Sequence, residues 1–73
     1  MPREITRHAR ERMQQRGITE EEITEACQKR LTGPQPATGV GTVCFTGITK
    51  SGRQLKIVVP AADDQVVISV WEV

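Results

Sequence analysis

The chain has 73 residues, 37% of them hydrophobic, with one Phe, one Trp and no Tyr. This leaves room for one thin core of Val, Ile, Leu and Ala and excludes a second module. Its 10 Lys and Arg stand against 9 Asp and Glu, a net charge of +1 that as a total gives no sign of a nucleic-acid partner, and no run approaches the ~18 apolar residues of a membrane span.

The charge is unevenly placed. Residues 1 to 16 hold Arg3, Arg7, Arg10, Arg12 and Arg16 against Glu4 and Glu11, and the next stretch holds Glu20, Glu21, Glu22 and Glu25. Cys27 and Cys44 lie too far apart for a CxxC redox or zinc spacing and no signal-like apolar run precedes them. Both are expected to be reduced thiols of a soluble, cytoplasmic protein.

In chain order, the first helix is predicted over about 7–16, with Thr6 as N-cap and Gly17 in the left-handed position that ends it. Ala9 and Met13 share its apolar face, and His8, Arg12 and Arg16 form a neighbouring stripe at i, i+4 spacing. A capping box at Thr19-Glu20-Glu21-Glu22, with Ile18 placed to staple onto Ile23, starts a second helix over about 20–32. Its buried stripe is predicted as Ile23, Ala26, Cys27 and Leu31, with Gly33-Pro34 as the stop. The glutamates at its start and Lys29-Arg30 near its end complement the helix dipole.

Residues 34–41 carry two Pro and two Gly and are expected to form a mobile loop. Three β-rich runs follow at about 42–49, 53–59 and 65–72, with Lys50-Ser51-Gly52 and Pro60 to Asp64 between them and Asp63 and Asp64 as turn formers. A three-residue Lys50-Ser51-Gly52 loop pairs Phe45 with Ile57 and Val43 with Val59, which keeps apolar opposite apolar. That register puts Val43, Phe45, Leu55, Ile57 and Val59 beneath the helices. Continued alternation adds Val66, Ile68 and Val70. The opposite face then carries Cys44, Thr46, Lys56, Val58, Val67, Ser69 and Trp71. The expected fold is α+β, two N-terminal helices packed on one face of a small three-stranded antiparallel sheet, all in one domain over 1–73.

The open face, with Lys56, Thr46, Ser69 and Trp71, reads either as a binding surface or as an ordinary solvated sheet face. The final run forms an edge with no Pro to blunt it, suited to a homodimer or to an incoming partner. On the first helix, Arg12 and Arg16 either receive an anion or are neutralised internally, as Arg7 can be by Glu11 and another arginine by Glu20 or Glu4. His8 sits in the first turn, where a neutral imidazole can act as a general base and flanking guanidinium groups can hold a phosphate. That set suits metal-free RNA cleavage through the 2′-hydroxyl, and equally anion binding or a structural hydrogen bond. A zinc site from His8, Cys27 and Cys44 is disfavoured by their scatter, so no metal and no cofactor are expected.

The segment His8-Ala9-Arg10-Glu11-Arg12-Met13-Gln14-Gln15-Arg16-Gly17-Ile18 resembles the HAxxRMxxRGI signature of the DUF4258 domain family, and weaker likeness runs through 19–23, 52–59 and 66–71. The resemblance implies a RelE-like fold within the barnase-like and RelE-like ribonuclease group. It further implies an RNA-cleaving toxin of a bacterial toxin–antitoxin pair, with RNA or the ribosome as target, an antitoxin protein as partner, and site positions at His8, Arg12 and Arg16. Lys56 is placed beside them as a further phosphate contact. The alternative is a non-catalytic RNA-, ribosome- or protein-binding module of the same fold.

Overall fold

A computed structural model describes residues 4–37, 39–63 and 65–73. Arg3, part of the basic segment, and Asp64, read as a turn former, lie outside the described residues. The elements in order are β1 (Glu4–Ile5), α1 (Arg7–Arg16), α2 (Glu20–Gln28), β2 (Gln35–Pro36), β3 (Thr42–Ile48), β4 (Gln54–Pro60), β5 (Val66–Val67) and β6 (Ser69–Glu72).

Local signals fix the helix starts. Thr6 is extended and its Oγ1 accepts from Ala9 N–H at 3.2 Å, while Gly17 ends α1 at φ 65° with its N–H on Met13 O. At α2, Thr19 Oγ1 accepts from Glu22 N–H, and Glu22 Oε1 accepts from Thr19 N–H, both at 3.1 Å. The end of α2 departs from the expected one. The helix stops at Gln28 instead of running to about residue 32, because the chain beyond it bonds to β3. Arg30 bridges Gly47, Leu31 N–H donates to Thr46 O at 2.7 Å, and Ile48 N–H donates to Lys29 O at 3.0 Å. Leu31 therefore leaves the core and is 52% exposed.

The sheet has four antiparallel strands in the order β2-β3-β4-β6, not three, and a separate parallel pair joins β1 to β5. The β3–β4 register is the predicted one, with Phe45 opposite Ile57 and Val43 opposite Val59. Gly52 closes that hairpin at φ 87°, with its N–H on Thr49 O at 3.0 Å. The extra strand comes from the segment read as a loop, where Gln35 and Pro36 pair with Cys44 and Val43. The final run is broken in two. Val58 O accepts from Ile68 N–H at 2.8 Å although Val58 lies opposite Ser69, so two residues face one and the alternation shifts phase. Val67 and Val70 are consequently fully buried, while Val66 and Ile68, expected in the core, are only half-buried.

The core lies between the helices and one sheet face. It comprises Ala9 and Met13 of α1, Ile18, Ile23, Ala26 and Cys27 around α2, and Phe45, Leu55, Ile57, Val59, Val67 and Val70 of the sheet. Helix α1 packs on β6 and α2 on β3. The α2–β3 approach requires glycine at 47, since a Cβ there would meet Ala26 O. Cys27 and Cys44 are buried, are not joined in a disulfide, and lie on opposite sides of the sheet. No helix among the described residues is long and apolar enough to cross a membrane.

Candidate functional site

The position of α1 decides what its polar side chains can reach. Ala9 and Met13 hold it over β6, the last strand of the sheet, so the stripe beside them hangs over the sheet edge. Arg12 and Arg16 line a cleft of about 240 Å³ together with Ser69, Val70 and Trp71. Ser69 and Trp71 belong to the face turned away from the helices, so this cleft joins the helical layer to the open face around the edge.

That face is ordered by the strand register. Thr46, Lys56 and Trp71 form one row across β3, β4 and β6, and Cys44, Val58 and Ser69 form the next. A second hollow of about 310 Å³ is lined by Pro36, Ala37, Gly39, Cys44, Lys56, Val58 and Trp71. Trp71 walls both hollows. Lys56 and the two arginines thus lie on either side of one indole, with Ser69 beside it. Thr46 lies in the same row, and its backbone is fixed from the far edge, its N–H donating to Thr32 Oγ1 at 3.0 Å and its carbonyl accepting from Leu31 N–H at 2.7 Å.

The cations differ in their partners. Arg7 pairs with Glu11 at 3.7 Å and Arg10 with Glu20 at 2.9 Å, so internal neutralisation takes two arginines of α1. Among the described residues Arg12, Arg16 and Lys56 have no acidic partner. His8 is exposed one turn before Arg12 on the same stripe and is not among the residues lining the arginine cleft. The structure therefore brings Arg12, Arg16, Ser69, Trp71 and Lys56 together and leaves His8 at their margin. Among the described residues no group of three or more His, Cys, Asp or Glu is arranged to hold a metal ion.

One residue that sequence reasoning missed holds the cleft in shape. Arg53 donates from Nη2 to Arg16 O at 2.8 Å and from Nη1 to Gly17 O at 3.0 Å, at the C-terminal end of α1. It also meets Glu22 of α2 at 3.2 Å and Glu72 of β6 at 3.1 Å. Its side chain is 22% exposed. The hydrogen bonds that Arg53 donates to Glu72 and then to Glu22 raise its pKa above the ordinary value. Partial burial pushes the Glu22 carboxyl up, but the Thr19 N–H and the Arg53 guanidinium outweigh it and hold the group below the usual range. The only local signal was an arginine directly after Gly52; its partners lie 19 to 37 residues away.

The family model described as "Domain of unknown function (DUF4258)" matches residues 5–72. No curated protein and no solved structure matches the chain significantly.

Proposed function

The chain belongs to the DUF4258 family, and from that membership and the site geometry we propose that it is an RNA-directed domain of RelE-like type that grips the RNA backbone at the α1–β6 cleft. The observation that carries this reading is the convergence on Trp71 of Arg12 and Arg16, two arginines with no acidic partner among the described residues, with Lys56 on the indole's other side. Guanidinium groups bind phosphate oxygens by charge-assisted, bidentate hydrogen bonds. A half-exposed indole offers a base a stacking surface, and cationic grooves with such platforms track single strands.

Binding to a short fluorescent RNA tests this. With about three phosphate contacts, affinity falls about twentyfold between 50 and 200 mM salt, and Arg12→Gln or Arg16→Gln each reduces the logarithmic salt slope by about 0.7. Trp71→Ala costs about 1–3 kcal/mol of binding. Affinity that ignores salt and all three substitutions would overturn the reading.

A second reading, a metal-free endoribonuclease of a toxin–antitoxin pair, is favoured by one observation: His8 heads the stripe that continues into Arg12 and Arg16. In that chemistry the imidazole takes the 2′-hydroxyl proton, the 2′-oxygen attacks the adjacent phosphorus to give a 2′,3′-cyclic phosphate, and the 5′-oxygen leaves as the P–O5′ bond breaks, taking a proton from water. Arg12 and Arg16 stabilise the charge on the phosphate oxygens. His8→Ala then lowers cleavage by about a hundredfold with binding unchanged. Wild-type protein that binds RNA without cutting it refutes this second reading and leaves the first standing.

A further inference from the structure

The helices do not cover the inner sheet face along its whole length. Helix α1 packs on β6 and α2 on β3, but α2 stops at Gln28 and the chain after it runs beside β3. At the far end of β3 and β4 lies a hollow of about 320 Å³, floored by Val43, Phe45 and Val59 and walled by Pro34 and the turn after β4. That turn is fixed, since Ala61 N–H donates to Gly41 O at 2.8 Å and Asp63 N–H to Pro60 O at 3.2 Å. Two opposite charges, Arg30 and Asp63, line the same hollow. The Arg30 guanidinium lies 4.1 Å from the Phe45 ring centroid, and its Nε donates to Cys27 O at 3.2 Å. Asp63 Oδ1 accepts from Gln65 N–H at 3.0 Å. Each is held by its own neighbours. No salt bridge joins the two, and Asp63 has no cationic partner among the described residues.

We propose that this hollow binds a free α-amino acid with an apolar side chain of leucine size, its carboxylate on Arg30, its ammonium group on Asp63 and its side chain on Val43 and Val59. The size fits. At about 30 Å³ per water the volume equals roughly ten waters, and leucine has about as many non-hydrogen atoms. The charges select the class, because a cation and an anion beside one small apolar floor are matched together by a zwitterion. A simple organic acid leaves the Asp63 carboxylate against an apolar body, and a simple amine does the same to Arg30. A residue inside a peptide chain carries neither charge. Arg30 makes further contacts of its own, and a ligand carboxylate joins or exchanges with them among the five N–H donors of the guanidinium. The hollow lies on the sheet face opposite Lys56 and Trp71, so this site is independent of the RNA reading.

Backbone NMR titration of the isotope-labelled chain tests the proposal with four ligands: leucine, leucinamide, N-acetyl-leucine and glutamate. Leucine is expected to saturate at millimolar concentration, shifting the amides of Val43, Ala61 and Asp63 and leaving Ser69 and Trp71 in place. Leucinamide lacks the carboxylate and N-acetyl-leucine lacks the ammonium group, and each binds about tenfold or more weakly, since each forfeits a charge-assisted hydrogen bond. Glutamate, which sets a third charge on the apolar floor, binds more weakly still. Asp63→Asn keeps an Oδ1 acceptor for Gln65 N–H and should weaken leucine by about tenfold while leaving N-acetyl-leucine unchanged. Arg30→Gln should weaken leucine likewise and leave leucinamide unchanged, with the core amides still protected from exchange. If that variant unfolds, the leucinamide comparison on the wild-type chain still decides the role of Arg30. No shift with millimolar leucine overturns the proposal, as does equal binding of either blocked analogue or of glutamate. Shifts centred on Ser69 and Trp71 overturn it too.

Discussion

Replacing Gly47 with alanine measures how closely α2 is seated on β3. A Cβ at this position would run into Ala26 O and lie 2.6 Å from its carbonyl carbon and 2.9 Å from its Cα. All three are backbone atoms of a helix interior, so no side chain can swing aside. To restore ordinary contact, α2 must retreat by on the order of 1 Å, and a gap of that size forfeits about half of the dispersion attraction between facing atoms. The facing atoms belong to Ile23, Ala26 and Cys27 on α2 and to Phe45 and Leu55 on the sheet. The bonds from Leu31 N–H to Thr46 O and from Ile48 N–H to Lys29 O stretch with them. A cost of about 3 kcal/mol follows, at the upper end for overpacked cores. Total stability for a domain of this size is about 4–11 kcal/mol, and each kcal/mol is worth roughly 4–8 °C, so the melting temperature should fall by about 12–24 °C. Thermal and urea unfolding followed by Trp71 fluorescence give both numbers. Gly33→Ala is the control: nothing lies within 4 Å of its Cβ, and stability should hold or rise by about 0.5 kcal/mol. A loss below about 1 kcal/mol for Gly47→Ala would refute the argument for close seating.

Arg53→Gln should lower the melting temperature clearly more than Arg10→Gln, whose ion pair with Glu20 is exposed on both sides, and equal effects in a thermal scan would deny Arg53 its role as a clamp. The pH dependence follows from Glu22, whose pKa is lowered from 4.5 in the folded protein. The unfolded chain then binds more protons, so stability is fully present above the ordinary Glu range and is lost as pH falls through the lowered value. In urea titrations from pH 6 to pH 3, Arg53→Gln should flatten that decline, and an unchanged slope would contradict the assignment. Thr6→Ala removes both the N-cap of α1 and a hydroxyl donor to Ile68 O at 3.1 Å, which should cost about 1–2 kcal/mol; a loss within error in denaturant unfolding would count against it.

The features legible in the sequence are those written in neighbouring residues. Thr6 and Gly17, the Thr19–Glu22 box and the Lys50–Gly52 turn each act over a few positions, and each appears where the pattern puts it. The hairpin register was legible too, because only one slip keeps Phe45 opposite Ile57. Counting by twos failed at Ile68, since one bulged residue exchanges the two faces and leaves no mark in composition. Strands of two residues, such as β1 and β2, are too short to show any period. The end of α2 was set by bonds to β3, which no helix propensity records. At the site, the residue types were readable and their assembly was not. Arg12 and Arg16 reach Trp71 only because α1 sits at a sheet edge, and that placement is a tertiary fact.

The pairing of β1 with β5 also sets an order of events in folding. Thr6 Oγ1 donates to Ile68 O across 62 residues, whereas both helices and the β3–β4 hairpin close over short stretches. Loop closure over such a span is entropically costly before any contact rewards it, so the residues around Glu4 and Ile5 are the last to find their place. During synthesis they wait, and a two-residue strand waits with its backbone unpaired until Val66 and Val67 have left the ribosome. Destabilising this joint should therefore speed unfolding and leave the refolding rate nearly unchanged, the mark of a contact absent from the transition state.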